Sequence, residues 1–483
     1  MQLTLKKFNS NTLFFIFWVC MSFYLLVRAY YVDITDDEAW SYYNVKRFWW
    51  VEVLCSGNTH WFNFLAIKTA LMLGLEKTWH LRWFSLLSGV VFLYIGYRWI
   101  ITFSNLAVKV FAFSLLFLNP YLVEYLTLAR GYSAALCFVA LSFYFYCRTE
   151  RRIIISVPLL FAGLSAIANF NFFYFFVPFA LMYFVSCYLK DKSWLFKSKA
   201  FYFDMLFVLG VSFLVLRALW FIKLCSNDIG SFGGDNLIRS VFGSYLDTLF
   251  YGQFYFPSSV KDLLGVVLLI LVLGGSVYGI LKFQSHQIKL FTMSSCVLLG
   301  MLILVVFNHV CFNILYPTER TALMFYPVAV IVTVFFLNDV NWAHSVKQSL
   351  FGLISTSLII NFFKTASAVS GYDHSYCMKT NQYFEFLAET PARRVGLAVE
   401  VYFVYLKYYK HTTCNFYAES INEYRINPRY LFDHQLEDFD YLLLLPPYNL
   451  KYYKTSPISF VPVKYFQDTG ALIVKVTKVP VSS

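Results

Sequence analysis

Charged residues are scarce in this chain of 483 residues. Asp, Glu, Lys and Arg make up 14% of it, whereas a typical soluble domain has about 25%. Apolar residues make up 59%, which is more than one water-soluble core could bury. Repeated apolar windows of roughly 20 residues instead predict a multi-pass membrane protein. The net charge of +12 is then explained by basic loops and anionic lipid headgroups, so no nucleic-acid partner is expected.

Several chemical motifs are missing. The 10 cysteines include no CxxC pair, and the chain has no Walker loop and no GxGxxG, which argues against a nucleotide-dependent reaction. It also lacks the internal repeats of many transporters. Cys377 and Cys414 lie in the hydrophilic tail. They could form a disulfide if that tail is extracytoplasmic, or remain two free thiols.

The apolar segments predict about eleven transmembrane helices. Lys6 and Lys7 precede the first one, which indicates an uncleaved signal anchor with a cytoplasmic N-terminus. Basic residues concentrate in alternate loops, so the C-terminus is expected outside. The basic loops are 98–109, 148–152, 190–199 and 282–289. The predicted spans are 13–32, 80–98, 107–120, 131–147, 153–168, 171–189, 202–222, 262–281, 289–308, 321–337 and 348–364.

Two regions are predicted not to cross the membrane. Segment 60–75 is apolar but short and carries Lys68; a crossing there would turn every basic loop outward, so we expect an interfacial helix in the first outer loop. From about residue 370 the apolar runs shorten, and a small extracytoplasmic α/β domain is expected over 370–483, after a membrane domain over 1–365. Its strands are predicted at 395–399, 441–445 and 471–476, and its helices at 378–389 and 400–410.

An acidic cluster, Asp36-Asp37-Glu38, follows the first apolar stretch. Carboxylates beside lipid are energetically costly and usually have a function. The Asp37 carboxylate could act as a general base for a sugar hydroxyl. Glu38 could act in catalysis, or it could close a capping box with Thr35. Since adjacent helical positions point about 100° apart, capping by Glu38 leaves Asp37 able to face a cavity.

Other polar residues lie at the predicted outer ends of the spans. His60 is either a substrate-binding residue or a structural one, and Asn58 could bind substrate or cap a helix. Glu124 and Arg130 could pair with each other. Arg82, Arg130 and Arg320 are candidates for a lipid-phosphate site, because a guanidinium matches phosphate oxygens; Arg320 could also be a snorkelling side chain at a helix end.

Five short elements resemble, in this order, those of the GT-C superfamily of polyprenyl-phosphate-sugar glycosyltransferases, in the bacterial branch related to protein O-mannosyltransferases and the lipid A aminoarabinose transferase. The similarity covers roughly residues 10–340. The elements are Asp37-Glu38-Ala39-Trp40-Ser41-Tyr42, Asn58-Thr59-His60-Trp61-Phe62-Asn63, His80-Leu81-Arg82-Trp83-Phe84-Ser85, Asn119-Pro120 with Ala129-Arg130-Gly131-Tyr132, and Glu319-Arg320-Thr321-Ala322.

The resemblance implies an inverting transfer from an undecaprenyl-phosphate-linked donor to a cell-envelope glycan, lipid or protein. Asp37 would be the base, Glu124 would take a second acidic role, and Arg130 and Arg320 would hold the lipid phosphate. Tyr132 would belong to the substrate site. Thr59 and the pair Trp83-Phe84 depart from the family pattern, which bears on the substrate and not on the reaction class.

Three alternatives remain open at this stage. The chain could transport or flip a lipid-linked glycan, although its charges lie mostly at span ends and not near the midplane. It could be a structural or assembly protein whose functional part is the hydrophilic tail. No cofactor is expected, but a divalent metal held by Asp36 and Glu38 is a variant of the enzyme hypothesis. The expected location is a bacterial inner membrane.

Overall fold

The computed structural model describes residues 10–47, 60–148, 155–190, 198–225, 233–251, 257–282, 289–368, 380–390, 394–397, 417–420, 440–444, 458–467 and 471–478. The chain divides into two compact units. The membrane unit comprises Met1–Ala29 and Trp50–Ser367, and the tail unit comprises Tyr30–Trp49 and Ala368–Ser483.

The membrane unit is helical throughout its described part. A helix lies at each of the eleven predicted spans. Their bounds are Ser10–Tyr31, Trp83–Ile100, Leu106–Phe117, Gly131–Arg148, Val157–Ala168, Phe173–Lys190, Lys199–Cys225, Ser258–Leu281, Lys289–Phe312, Tyr326–Asp339 and His344–Thr365. Shorter helices are Thr78–Leu81, Pro120–Thr127, Ser244–Phe250 and Glu319–Ala322, with a π-helix at Ile238–Gly243 and a 3-10 turn at Phe170–Phe172.

Seven of the described helices are long and apolar enough to cross a membrane, or eight if one bent pair counts as a single span. This confirms the predicted class of a multi-pass membrane protein. The eleven crossings and the outward C-terminus stay predictions, because length and composition alone do not show which helices cross or in which direction.

The bent pair is broken at Asn119-Pro120. Helix Leu106–Phe117 and helix Pro120–Thr127 meet at 53°. Asn119 caps the second helix, since its side chain accepts a hydrogen bond of 3.0 Å from the Leu122 backbone N–H. Pro120 occupies the first helical position, where its missing N–H has no intrahelical partner to lose. The sequence therefore ends one helix and starts the next in two residues.

Helix Trp61–Met72 occupies most of segment 60–75, which the sequence predicts to be an interfacial helix. Its 12 residues extend about 18 Å, which is well short of the roughly 30 Å of hydrocarbon. Phe64, Ile67 and Ala70 are buried on one side, whereas Lys68 is exposed on the other. The helix therefore packs on its neighbours through one face, and its interfacial position stays a prediction.

The described part of the tail unit holds one mixed sheet with the strand order β2-β1-β3-β5-β4. The strands are β1 (Arg394–Leu397), β2 (Tyr417–Ser420), β3 (Tyr441–Leu444), β4 (Ile458–Phe466) and β5 (Ala471–Lys478). β1 runs parallel to β2 and β3, while β5 is antiparallel to β3 and β4. Helix Thr380–Glu389 packs on the sheet through Tyr383, whose ring lies 4.5 Å from that of Phe466. The predicted helix at 400–410 and the two tail cysteines lie outside the described residues.

Candidate functional site

Helix Asp36–Arg47 in the tail unit starts with the acidic cluster. Glu38 closes a capping box: its Oε2 accepts hydrogen bonds from the Thr35 N–H at 3.0 Å and the Thr35 hydroxyl at 3.1 Å. The Glu38 N–H donates to Thr35 Oγ1 in return, at 3.4 Å. The capping alternative for Glu38 is therefore confirmed, and its catalytic role stays a prediction. The predicted role of Asp37, one position earlier, as the general base stays a prediction.

In the membrane unit, the element around His60 packs directly on the element around Gly131. The His60 ring lies 5.6 Å from the Tyr132 ring, and the Asn63 side-chain amide donates to the Ala129 carbonyl. A Cβ atom at Gly131 would lie 2.7 Å from Cβ of His60 and would overlap the Ala168 carbonyl oxygen. Glycine is therefore required by space here, because two backbones and a histidine meet at its Cα.

The element that contains Arg82 joins the same region. Ser133 donates to the Ser85 carbonyl at 2.6 Å, and Ser85 Oγ lies 3.5 Å from the Arg130 carbonyl oxygen. Arg82 is fully buried, and its guanidinium donates to the Ala29 carbonyl at 3.0 Å. That contact ties helix Trp83–Ile100 to the end of the first helix. Arg82 thus has a structural role, and its predicted contact with lipid phosphate is untested.

Arg320 lies on the four-residue helix Glu319–Ala322, which Thr318 and Thr321 cap reciprocally. Glu319 has a φ of 46°, in the left-handed region that non-glycine residues enter at a cost of about 1 to 3 kcal/mol. Burial first, and the Arg320 charge second, lower the pKa of His60 to about 4. His60 is therefore neutral at physiological pH. Its Nε2 is buried and has no hydrogen-bond partner among the described residues.

Glu124, one of the predicted acidic residues, lies in a buried charged cluster that the sequence reasoning missed. Arg28 forms an ion pair with Glu124 Oε2 at 3.6 Å, and both side chains are at most 2% exposed. Tyr251 donates to the same oxygen at 2.5 Å. Burial, and next the negative charge of Glu124, hold the pKa of Tyr251 well above its ordinary value. The phenol therefore keeps the proton that it donates.

The rest of this cluster fixes its position. Arg28 also donates to the Ser367 carbonyl, and Tyr24 donates to the same carbonyl at 3.1 Å. Tyr251 has a left-handed φ of 53°, a conformation in which a bulky side chain is held only by strong local contacts. Arg28 was visible in the sequence only as a charge inside an apolar run, a signal typical of a buried partner. Tyr251 had no such signal.

Asn58 lies outside the described residues, so its role stays a prediction. Among the residues that the structure describes, no group of three or more His, Cys, Asp or Glu side chains could hold a metal ion. Glu38 already accepts two hydrogen bonds from Thr35. The metal-dependent alternative on Asp36 and Glu38 is untested.

Gly131→Ala is expected to destabilise the membrane unit by about 1 to 3 kcal/mol, because the added methyl group has to displace His60 or the Ala168 backbone. Gly210→Ala is the matched control, since a Cβ there meets nothing within 4 Å. Thermal unfolding of both variants in detergent measures the difference. Equal melting temperatures for the two variants would contradict the packing described at Gly131.

Acidification is expected to destabilise the protein through His60. The pKa of His60 in the folded protein is about 4, below the ordinary 6.5. Its contribution to stability is thus present above pH 6.5 and is lost as the pH falls toward 4. Between neutral pH and roughly pH 5 the loss amounts to about 2 kcal/mol. Thermal unfolding at both pH values, for wild type and His60→Gln, isolates this residue, since the variant should lack that part of the pH dependence.

No family model matches the chain. No curated protein matches it in sequence. The crystal structure of ArnT from Cupriavidus metallidurans in the apo state is similar to this chain, with a TM-score of 0.40 and 11% sequence identity, over 96% of this chain and 98% of that one. At this level of similarity, an account of function has to rest on the chain's own residues.

Proposed function

We propose that this protein is an integral membrane glycosyltransferase of the GT-C type, which moves a sugar from a polyprenyl-phosphate donor to an extracytoplasmic acceptor. The observation that carries the proposal is the meeting of four sequence elements in the membrane unit. The elements of His60, Arg82 and Arg130 touch through hydrogen bonds and ring contacts, and the charge of Arg320 acts on His60. These elements lie up to 260 residues apart in the sequence, so it is the fold and not local proximity that brings them together.

An apolar cavity supports the lipid part of the donor. It has a volume of about 100 Å³ and lies beside the segment that follows Arg320. Its lining is almost entirely apolar and includes Phe325, Tyr326 and Ala329. Tyr245, which stacks on Tyr326 at 5.1 Å, has a buried hydroxyl without a hydrogen-bond partner in the described part of the chain. The first part of a polyprenyl chain would fit such a cavity, with its phosphate toward Arg320.

The proposed reaction is an inverting displacement. The Asp37 carboxylate takes the proton of an acceptor hydroxyl as that oxygen attacks the anomeric carbon. The bond between this carbon and the phosphate oxygen breaks, and polyprenyl phosphate leaves with the bonding electrons. Arg130 and Arg320 stabilise the negative charge that grows on the phosphate. Glu124 would take the second acidic role, held in place by Arg28 and Tyr251.

His60 and Tyr132 fit the sugar side of this reaction. A neutral imidazole can donate or accept one hydrogen bond at each nitrogen, so His60 Nε2 suits a sugar hydroxyl better than an anion. The buried ring of Tyr132 lies between the ring of His60, 5.6 Å away, and that of Tyr125, 5.0 Å away, and so holds the imidazole in position.

The proposal is tested with purified protein in vesicles that contain polyprenyl-linked sugars extracted from the source cells. We expect release of polyprenyl phosphate and formation of a glycosidic product, both followed by mass spectrometry. Arg320→Gln should raise the donor KM about ten- to a hundredfold, since it removes a charged contact to phosphate.

Arg217→Gln is the matched control, because Arg217 lies over the ring of Trp220 and outside the proposed site. A lipid-linked glycan that crosses the vesicle membrane without any glycosidic product would favour the transporter alternative. Equal effects of the two arginine variants would remove Arg320 from the donor site.

A further inference from the structure

A second cavity lies at the other side of helix Tyr326–Asp339, away from the proposed donor cavity. It has a volume of about 130 Å³, opens to one side, and is lined by helices Trp83–Ile100, Leu106–Phe117 and Gly131–Arg148 together with the start of Lys289–Phe312. Most of its lining is apolar, including Phe92, Leu116 and Phe143. None of the residues proposed for sugar transfer lines it, so it needs its own explanation.

Basic side chains lie at the opening of this cavity. Arg98 and Arg148, each at the end of its helix, both line it. Each donates to a tyrosine one turn earlier on its own helix: Arg98 to Tyr94 and Arg148 to Tyr144, both at 3.1 Å. Lys289 begins the neighbouring helix. All three belong to the basic loops that the sequence predicts on the cytoplasmic side.

Two donor nitrogens at this opening are shielded from solvent, on side chains that are themselves partly exposed, and have no acceptor among the residues that the structure describes. They are Arg98 Nε and the indole N–H of Trp99, on adjacent residues that both line the cavity. A buried N–H without an acceptor is costly, and such a group in a native structure calls for an unseen partner. Snorkelling explains an arginine at a helix end, but it does not explain two unsatisfied donors beside an apolar cavity.

We propose that this cavity binds an anionic phospholipid of the cytoplasmic leaflet. Part of one acyl chain would occupy the apolar interior, and the phosphate would accept hydrogen bonds from the Arg98 Nε, the Trp99 indole and the Arg148 guanidinium. Charge complementarity selects this occupant, since basic pockets between transmembrane helices on the cytoplasmic side suit anionic headgroups. A guanidinium fork matches phosphate oxygens in particular. The proposal is independent of sugar transfer.

The experiment is native mass spectrometry of the purified full-length protein, titrated with phosphatidylglycerol or with phosphatidylethanolamine. We expect tighter retention of phosphatidylglycerol by the wild type. The double variant Arg98→Gln/Arg148→Gln should weaken that binding about 25-fold, at about fivefold for each arginine. Ala140→Phe, which fills the cavity and keeps both arginines, should also abolish tight retention.

Arg217→Gln serves again as the control and should leave phosphatidylglycerol binding unchanged. Equal binding of the two lipids, or an unchanged affinity in both the arginine and the Ala140 variants, would overturn the proposal. Displacement of phosphatidylglycerol by an equal concentration of polyprenyl phosphate would overturn it too, because the cavity would then belong to the donor. Circular dichroism of each variant identifies one that has not folded, and Ala140→Phe then tests the site without loss of charge.

Discussion

Asp37→Asn is expected to lower the rate of sugar transfer by a factor of about 10² to 10⁴ while the protein still inserts in the membrane. The amide keeps the size of the carboxylate but cannot take the acceptor proton, and general-base catalysis contributes about that much. The rate is measured as product formed per protein in vesicles at saturating donor. The donor KM should change little, because the predicted phosphate contacts come from Arg130 and Arg320.

Asp36→Asn is the matched control for this variant. It removes the same charge, one position earlier in the same helical turn, and about 100° away around the helix. Near-wild-type transfer in Asp36→Asn together with a large loss in Asp37→Asn would assign the base. An equal loss in both variants would instead indicate a general effect of the acidic cluster, and full activity of Asp37→Asn would remove the proposed base.

Arg28→Met is expected to destabilise the membrane unit by about 3 to 5 kcal/mol. Its removal leaves Glu124 as a buried carboxylate without its cation, which costs far more than an exposed pair would contribute. Both side chains are at most 2% exposed, so water cannot replace the lost partner. Thermal unfolding in detergent, followed by tryptophan fluorescence, measures the change.

The double variant Arg28→Met/Glu124→Met separates the ion pair from packing. Apolar replacements of similar volume often restore the stability that one missing partner removes. We therefore expect the double variant to be more stable than Arg28→Met alone. A double variant as unstable as the sum of the two single ones would show that the pair is not coupled, and would contradict the cluster as described.

Most of the helical framework could be predicted from the sequence, because long apolar runs leave few alternatives. The bend at Asn119-Pro120 was predictable too. Asn is a favoured helix N-cap, and Pro, which has no backbone N–H, is favoured at the first helical position. The number of membrane crossings could not be predicted in this way. Helices such as Val157–Ala168 are short for a bilayer, and their place depends on neighbouring helices and not on their own composition.

Long-range pairing accounts for much of what the sequence did not reveal. Arg28 and Tyr251, which both contact Glu124, lie 96 and 127 positions from it in the sequence. No local sequence pattern encodes either contact. In the tail unit, β2 and β4 were not predicted, and Pro462 interrupts the pattern of β4. The structure accommodates that proline with a register shift between Pro462 and Lys464 in a strand at the edge of the sheet, where a missing N–H costs little.

The candidate site was predicted in part. The elements of His60, Arg130 and Arg320 were identified because they occur in the order of the family's motifs. That they lie close together in the membrane unit could not be predicted from their spacing in the sequence. The requirement for glycine at Gly131 became clear only with the Ala168 carbonyl and His60 around it. For Glu38, the local Thr35 pattern was sufficient, because a capping box involves only neighbouring residues.

The central claim is that this chain transfers a sugar outside the cytoplasm with Asp37 as the base. Its most direct test is mass spectrometry of envelope glycans, lipids and proteins from source cells that carry the wild-type, Asp36→Asn or Asp37→Asn chain. The account predicts one glycoconjugate that lacks a sugar in Asp37→Asn cells alone. Identical envelopes from all three strains, with each protein present in the membrane, would contradict it.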